Sequence, residues 1–399
     1  MLSKAPGKLA RGFFMTLKGH LLTGRDRIEA AFSDQGARDL PAVICYESVF
    51  LRDHWTQLTK HPWWYLHVSD ADRQVAWTRD LVSAVGQDWL QMFPWTALED
   101  EEHTTVEVGQ EGVFRIHKRT GQRAQLKPPR ISGWEGGGVQ SIRPGPLPES
   151  CEEIDASIPV PDENDVDPVV CKDRRQVAAA VIEEFGRAVW PYRHVSGPLW
   201  KTYGLWGFEG MMLLVATRPE LVRHACERYL AIALRNVHEA AEHGARGIWI
   251  EDCLTDMISP QAFATLNVPF IRRLIEEIRS AGMKSIYYFC GNTAGKWDLI
   301  MSLGMDALAL EESKKSFYND IEEIVERVRG QCVVLGNLDA LSVLQNGSEP
   351  QLKAQIRRQI AAGRRNGSRF ILSLGSPVTP ETPIERVRLY CDLVHELGS

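Results

Sequence analysis

Carboxylate side chains occur in pairs directly after short apolar runs of this chain. One pair is Glu251 and Asp252, and another is Glu311 and Glu312. Neighbouring carboxylates repel each other, which raises one pKa so that one carboxyl can hold a proton while the other is ionised. The pattern therefore predicts acid–base catalysis by Asp252, Glu251 and Glu311.

Phenol, thiol and amide groups follow other apolar runs. Tyr288 can donate a proton and Cys290 can ligate a metal ion. The remaining candidates at such positions are Glu47, Trp95 and Cys253. We predict that substrate is bound by His194, Trp206, Glu209, Asn292, Asn337, Asp339 and Ser376. Asp339 has an alternative role, because an aspartate at this position can cap the short helix Ala340–Gln345.

Composition excludes several classes of function. The chain has 46 basic and 52 acidic residues and a net charge of -6, which argues against nucleic acid or an anionic membrane as the main partner. Nucleotide-binding glycine motifs and the hydrolase Gly-x-Ser-x-Gly motif are absent from the sequence. The eight cysteines are scattered, and no apolar run approaches the length of a membrane span. We therefore expect a cytoplasmic protein.

The elements that must position these side chains are clearest from about residue 175 onward. Short apolar runs alternate there with amphipathic helical stretches such as Pro219–Gly244, which is typical of a parallel sheet covered by helices. The strands predicted in this part are Ala188–His194, Gly247–Glu251, Ser285–Phe289, Ala307–Leu310, Cys332–Leu335 and Phe370–Leu374.

Two further strands are predicted in the first half of the chain, at Ala42–Tyr46 and Trp89–Phe93, which makes eight in all. Eight strands that alternate with helices predict an α/β fold, a (β/α)₈ TIM barrel. Such barrels carry their chemistry at the carboxyl ends of the strands, where all the residues named above would meet.

Residues 103–165 interrupt this rhythm. Three alternating segments, Thr104–Val108, Gly112–Lys118 and Gln122–Lys127, predict an antiparallel β-meander. The proline-rich, acidic stretch Pro144–Asp167 predicts a surface loop. We interpret 103–165 as an insertion within a single domain that spans residues 1–399.

The segment from Gly244 onward resembles the uroporphyrinogen decarboxylase superfamily, and most closely its corrinoid-dependent methyltransferase branch. The matching pieces are GIWIEDCLTDMISPQAF, YYFCGN, LGMDALALEE, VVLGNLDALSVLQNGS and FILSLGSPVTPETPIERV. The resemblance implies a barrel enzyme that works with cobalamin. Since the corrinoid-binding motif Asp-x-His-x-x-Gly is absent, the cofactor would arrive on a corrinoid-binding partner protein.

The sequence departs from the superfamily at two places. The amino-terminal Arg-Gln-Ala-Gly-Arg segment, whose arginines meet the carboxylates of uroporphyrinogen in the decarboxylases, has no counterpart. The zinc-binding His-x-Cys of the methyltransferases reads Tyr288-Phe289-Cys290 here, and their later cysteine reads Ser376. Zinc is therefore either absent, with Tyr288 and the acidic residues performing acid–base work, or held by altered ligands such as Cys290, Glu251 and Asp252.

The favoured hypothesis is a methyltransferase that moves a methyl group between a small O- or N-methylated compound and the corrinoid. The many tryptophans favour an apolar or aromatic methyl donor. One alternative is a decarboxylase or lyase of a small carboxylate, for which Arg193 and Lys201 are the candidate cations. The other is a binding relative without catalytic activity.

Overall fold

The computed structural model of the chain describes residues 15–17, 20–93, 103–131, 146–160, 168–314 and 316–399. Trp95, residues 132–145 of the predicted insertion and residues 161–167 of the predicted loop Pro144–Asp167 lie outside the described residues. The first described element is an antiparallel hairpin of β1 (Met15–Leu17) and β2 (His20–Leu22).

A parallel sheet forms the centre of the fold, and it contains every strand predicted after residue 175. Its strands are β3 (Trp89–Gln91), β7 (Trp190–Ser196), β8 (Gly247–Asp252), β9 (Lys284–Phe289), β10 (Ala307–Leu310), β11 (Val333–Leu335) and β12 (Phe370–Ile371). They are hydrogen-bonded in the order β12-β11-β10-β9-β8-β7-β3. The sheet therefore follows chain order around a curve, as in a (β/α)₈ barrel.

The segment around Ala42 closes this sheet, but it is not the full strand Ala42–Tyr46 that the sequence predicts. Ala42 forms a single parallel bridge to Leu372. Its carbonyl accepts a hydrogen bond from the Asp88 amide on the other side, at 2.9 Å. Tyr46 cannot continue a strand because its φ of 53° turns the chain into the next helix. The ring is thus closed by one bridging residue with a neighbour on either side.

Helices cover the outside of the barrel, because their apolar side chains recur at three- and four-residue steps. In one helix, the buried residues Ile271, Leu274, Ile275 and Ile278 show this spacing. The helices are α1 (Gly24–Phe32), α2 (Glu47–Leu58), α3 (Ala71–Val85), α4 (Cys151–Ser157), α5 (Pro168–Phe185), α6 (Pro198–Thr217), α7 (Pro219–Glu242), α8 (Pro260–Leu266), α9 (Val268–Ser280), α10 (Trp297–Met301), α11 (Ile321–Val328), α12 (Glu349–Arg365) and α13 (Ile384–Leu397), with a 3₁₀-helix at Trp63–His67 and a π-helix at Ala340–Gln345.

A buried ionic cluster, which we call the Asp88 cluster, fastens the barrel where its two ends meet. Asp88 accepts hydrogen bonds from Arg27 of α1 at 2.8 Å, from the Ala42 amide at 2.7 Å and from His395 of α13 at 2.7 Å. Burial acts to raise the pKa of Asp88, but His395 and Arg27 outweigh burial and lower it. One ionised carboxylate therefore joins the first helix, the last helix and the closing segment.

The insertion contains the predicted β-meander, formed by β4 (Thr104–Gly109), β5 (Gly112–His117) and β6 (Arg123–Leu126). The prediction of an irregular loop over Pro144–Asp167 is wrong in part, because α4 lies inside it. Ile154 of α4 is buried, and Asp155 pairs with His224 of α7 at 2.7 Å. An apolar side chain and an ion pair hold this helix on the barrel.

Within the described ranges, no helix is long and apolar enough to cross a membrane.

Candidate active site

The alternation of side chains along β8 separates the predicted pair of carboxylates. Trp249 and Glu251 point into the barrel, where the Trp249 ring stacks on Tyr288 at 5.0 Å. Asp252 points the other way, toward the surrounding helices, because successive strand residues face opposite sides. Asn267, at the start of α9, donates to Asp252 at 2.6 Å. Glu251 and Asp252 therefore face opposite sides of β8 and do not share a cavity.

Glu251 lies at the centre of a group that we call the mouth cluster, formed with Tyr46, His194, Trp200 and Cys253. The Trp200 indole N–H donates to Glu251 at 3.0 Å. His194 Nε2 lies 3.3 Å from the same carboxylate, off the direction of a hydrogen bond. Cys253 donates to Glu251 at 3.8 Å, and its sulfur is 3.7 Å from the Tyr46 hydroxyl. Four side chains thus surround one carboxylate at the carboxyl ends of the strands.

The Glu251 side chain is ionised and does not carry a proton. Burial acts to raise its pKa, but the adjacent His194 ring and the Trp200 N–H outweigh burial and lower the pKa to about 2. The carboxylate is therefore negative at neutral pH. The imidazole of His194 is the basic side chain that faces this negative charge.

Aromatic rings wall the mouth cluster on its inner side. Tyr46 packs edge-on against Tyr288 at 5.5 Å and against Trp249 at 6.1 Å. A cavity of about 10 Å³ remains beside them, lined in part by His194 and Gln91, which is about the space that one water molecule needs. A larger cavity, of about 470 Å³, lies at the opposite, amino ends of the strands and includes Trp190, Arg246 and Lys284.

The predicted proton donor Tyr288 belongs to this wall. Its hydroxyl donates to the Gly375 carbonyl at 2.8 Å, and the side chain is buried. Burial raises the pKa of Tyr288 well above its ordinary value. A phenol held in this way supplies a rigid apolar surface to the mouth and ties β9 to the loop that follows β12.

A second acidic group lies beside the mouth cluster. Cys290 donates to Glu311 at 3.2 Å, and Ser376 donates to Glu312 at 2.7 Å. Lys314 pairs with Glu311 at 3.6 Å and donates to Ser376 at 3.1 Å. Glu311, Cys290 and Ser376 are thus brought together as the sequence predicts, but Lys314 neutralises part of their charge.

Asp252 has no exposed surface, and it holds the fold together behind β8. Its carboxylate accepts hydrogen bonds from Asn267 and Tyr287. Burial raises its pKa to about 6, and the charge of Glu251 is the least of the causes. The predicted like-charge repulsion is therefore not the main reason for the shift.

Four residues predicted to bind substrate lie in loops and helices, and hydrogen bonds tie three of them to neighbouring backbone. Asp339 accepts from the amides of Leu341 and Ser342, which is the capping alternative. Asn337 donates to the Asn319 carbonyl at 2.8 Å, and Asn292 accepts from the Ala294 amide at 2.9 Å. Glu209 is exposed on α6.

Trp206, which the sequence also predicts to bind substrate, does not lie in a loop at the mouth. It lies inside α6 and is buried, and the helix is interrupted only at the next residue, Gly207, whose φ is 64°. Trp206 therefore packs in the core.

Two members of the mouth cluster, Tyr46 and Trp200, are not among the residues predicted from the sequence. Tyr46 ends the apolar run that closes the barrel, which is the kind of position at which the other candidates were found. Trp200 is the third residue of α6, directly after β7. An aromatic residue in the first turn of a helix that follows a barrel strand is the signal that could have identified it.

The three zinc ligands that the sequence suggests do not converge. Cys290 and Glu251 face the barrel interior, whereas Asp252 faces the helices. Among the described residues, no three His, Cys, Asp or Glu side chains are arranged to hold a metal ion. This donor set does not fit zinc.

Glu47, at the start of α2, is fully buried. It accepts hydrogen bonds from the Gln91 amide at 3.1 Å and from the Gln87 side chain. Burial raises its pKa to about 8, although both hydrogen bonds act to lower it. Its place between β3 and α2 fixes the backbone that carries Tyr46.

We expect Glu47 to make folding stability depend on pH. The folded-state pKa of about 8 lies above the ordinary value of 4.5, so its contribution is full below pH 4.5 and is lost as pH rises through about 8. The free energy of unfolding should fall by about 3 kcal/mol between pH 5 and pH 8 on this account. In Glu47→Gln, urea titrations should show this fall removed, whereas an unchanged pH dependence would contradict the assignment.

The fold is a closed parallel barrel. An ionised carboxylate, a histidine and aromatic rings lie at the carboxyl ends of its strands, where enzymes with this fold carry their active sites. The chain belongs to the uroporphyrinogen decarboxylase (URO-D) family, whose sequence profile matches residues 180–397.

Curated relatives agree with this assignment, and a solved structure shares the fold. Uroporphyrinogen decarboxylases from Thermodesulfovibrio yellowstonii and from an Anaeromyxobacter species are each 26% identical, over 45% and 48% of this chain and 49% and 53% of theirs. The chain thus spans about half the length of the curated relatives it matches. A methyltransferase from Methanosarcina mazei shares the fold with a TM-score of 0.65 and 16% identity, over 94% of this chain and 99% of that one.

Proposed function

We propose that the chain is a methyltransferase that moves a methyl group between a small O- or N-methylated compound and a corrinoid carried by a partner protein. The observation that carries the proposal is the mouth cluster, in which an ionised Glu251 faces His194 beside an aromatic wall. Such a site can bind an apolar methylated compound and move one proton at its heteroatom.

The charges around the mouth cluster favour this activity over decarboxylation of a tetrapyrrole that carries several carboxylates. Such a substrate needs cations opposite its carboxylates. Arg193, one of two candidate cations, is buried on the helix side of β7 and pairs with Glu239 at 3.2 Å. Lys201 is exposed on α6, and Lys314 is already paired with acidic residues. In the part of the chain that the structure describes, the mouth is more acidic than basic.

Decarboxylation of a small carboxylate is the second candidate function. It is favoured by the names of the curated relatives, which are uroporphyrinogen decarboxylases. The methyltransferase from Methanosarcina mazei, which matches nearly the whole chain, supports the first candidate through its fold. The mouth cluster supports the first candidate, since a histidine there could protonate a leaving group and few cations face a carboxylate.

The loops around the mouth cluster suit a docked partner. Met257, Tyr318 and Leu341 follow β8, β10 and β11, and their exposed fractions are 59%, 66% and 50%. Large apolar side chains exposed on one face are typical of a protein–protein contact surface. A partner that brings the corrinoid to this face would also exclude water from the mouth.

His194 and Glu251 of the mouth cluster, and the aromatic rings beside them, supply the groups that this chemistry needs. The corrinoid, when bound, supplies the group that accepts or donates the methyl. His194 gives a proton to the oxygen or nitrogen that loses its methyl group, and takes it back in the reverse direction. Glu251 orients the imidazole and balances its positive charge. The partly exposed Tyr46 ring, which packs on the buried Trp249 and Tyr288, faces the apolar part of the substrate.

Product analysis distinguishes the two candidate functions. The full chain is incubated with cob(I)alamin and a mixture of methoxylated aromatic acids and N-methylated amines, and the products are identified by mass spectrometry. We expect a demethylated product that retains its carboxyl group. Release of carbon dioxide with the methyl group retained would instead establish the decarboxylase.

Tyr288→Phe tests whether the phenol acts as a proton donor. Because its hydroxyl is bound to the Gly375 carbonyl, we expect the variant to lose about 1 kcal/mol of stability and to keep its rate of demethylation within about threefold. Tyr390→Phe is the matched control, since the Tyr390 hydroxyl donates to the Val43 carbonyl at 3.1 Å. A loss of about a hundredfold in Tyr288→Phe alone would make the hydroxyl the donor.

A further inference from the structure

Two cysteines end the adjacent parallel strands β8 and β9 at the same level. Asp252 pairs with Phe289, and the Cys290 amide donates to the Asp252 carbonyl at 3.1 Å. Cys253 and Cys290 therefore lie opposite each other, one residue beyond the last pair of β8 and β9. Neighbouring strands lie about 4.8 Å apart, which is within the separation of about 4.4–6.8 Å that the Cα atoms of a disulfide span.

Both side chains lie on the interior face of the sheet. Each cysteine comes two residues after a residue that faces the barrel, Glu251 in β8 and Tyr288 in β9. Their contacts agree, since Cys253 donates to Glu251 at 3.8 Å and Cys290 donates to Glu311 at 3.2 Å. The Cys290 thiol, together with burial, raises the pKa of Cys253, as expected of two sulfur atoms in contact.

The pair is also open to small reagents. Cys253 and Cys290 are free and half-buried. The chain turns away after each of them, at Leu254 with a φ of 60° and at Gly291 with a φ of 101°. The free cysteines Cys45, Cys226, Cys332 and Cys391 are instead buried in the core.

We propose that Cys253 and Cys290 form a dithiol modification site that a hydroperoxide converts into a disulfide. One sulfur attacks the peroxide, the O–O bond breaks, and a sulfenic acid and one water or alcohol result. The second sulfur attacks the sulfenic sulfur, the S–O bond breaks, and water leaves as the S–S bond forms. The two thiols lose two electrons and two protons, and the peroxide gains them.

Closing the disulfide changes the surroundings of two acidic side chains. The thiol hydrogen bonds from Cys253 to Glu251 and from Cys290 to Glu311 are lost, because neither sulfur keeps its proton. The modification therefore alters the mouth cluster directly. The proposal does not depend on the methyl-transfer reaction, since its product is identified by mass.

The test uses the full chain, reduced, freed of reductant and treated with hydrogen peroxide. Intact mass should fall by two hydrogens, and peptide mapping should show one cross-link between Cys253 and Cys290 that dithiothreitol removes. Titration should count two fewer of the eight thiols. Cys253→Ser and Cys290→Ser should not form the cross-link, and the remaining thiol should be trapped as a sulfenic acid by dimedone.

Cys151→Ser is the matched control, because Cys151 is also half-buried and free but lies in α4. It should behave as the unaltered chain does. The proposal is overturned if excess peroxide leaves Cys253 and Cys290 available to iodoacetamide, or if the cross-link joins other cysteines. Both outcomes are read on the unaltered chain, so that misfolding of a variant cannot hide them.

Discussion

Replacing His194 with alanine lowers the turnover number of the proposed methyl transfer by about a hundredfold to a thousandfold. The imidazole lies 3.3 Å from the ionised Glu251 and is partly open to solvent, so a substrate at the mouth can reach it. Its removal takes away the proton that the leaving oxygen or nitrogen needs. The rate is measured from the demethylated product under substrate saturation, and circular dichroism verifies that the variant is folded.

His238→Ala is the matched control, since His238 also pairs with a carboxylate, Glu277 at 3.0 Å, but on the outer surface of α7. We expect it to leave the rate unchanged. Glu251→Gln keeps an acceptor for the Trp200 indole and removes the charge, so its rate should fall by about tenfold to a hundredfold with an altered pH profile. Equal rates in His194→Ala and His238→Ala would show that the mouth cluster does not perform the proton transfer.

Asp88→Ala lowers the free energy of unfolding by about 3–5 kcal/mol, because it leaves Arg27 buried without its carboxylate. The exposed fractions of the Arg27 and Asp88 side chains are only 4% and 1%. The same change frees the Ala42 amide, which is part of the segment that closes the barrel. Urea titration at neutral pH measures the loss.

Asp392→Ala is the control for this experiment, because Asp392 also pairs with an arginine, Arg388 at 2.9 Å, but is exposed on α13. An exposed pair of this kind contributes less than about 1 kcal/mol. The lowered pKa of Asp88 also predicts that its contribution is present above the ordinary pKa of 3.8 and is lost as pH falls through the lower folded-state value. A loss in Asp88→Ala no greater than that in Asp392→Ala would contradict the role of the cluster.

The barrel strands could be predicted because each is a short apolar run buried on both faces. β10 was predicted with the same bounds, Ala307–Leu310, that the structure shows. The run Ala42–Tyr46 looks equally apolar, yet it pairs through one bridge only. The Gln87 and Asp88 side chains accept hydrogen bonds from the amides of Ile44 and Ala42, in place of a neighbouring strand. Contacts between such distant residues cannot be predicted from the local sequence pattern.

The site was harder to predict, because residue type does not reveal which way a strand residue faces. Glu251 and Asp252 are adjacent carboxylates in sequence, but only the first reaches the interior. Its partners Tyr46 and Trp200 come from distant segments, and their meeting depends on the turn at Tyr46 and on the start of α6. Asp339 shows the opposite case, since its capping role could be read from the short helix that follows it.

The proposed function requires that the mouth cluster moves a methyl group between a small methylated compound and a corrinoid. The most direct test follows the absorption spectrum of cob(I)alamin mixed with the full chain and a methoxylated aromatic compound or an N-methylated amine. We expect conversion to methylcobalamin that needs the donor and is lost in His194→Ala. A spectrum that stays unchanged with donors of both kinds, or conversion that persists in His194→Ala, would contradict the claim.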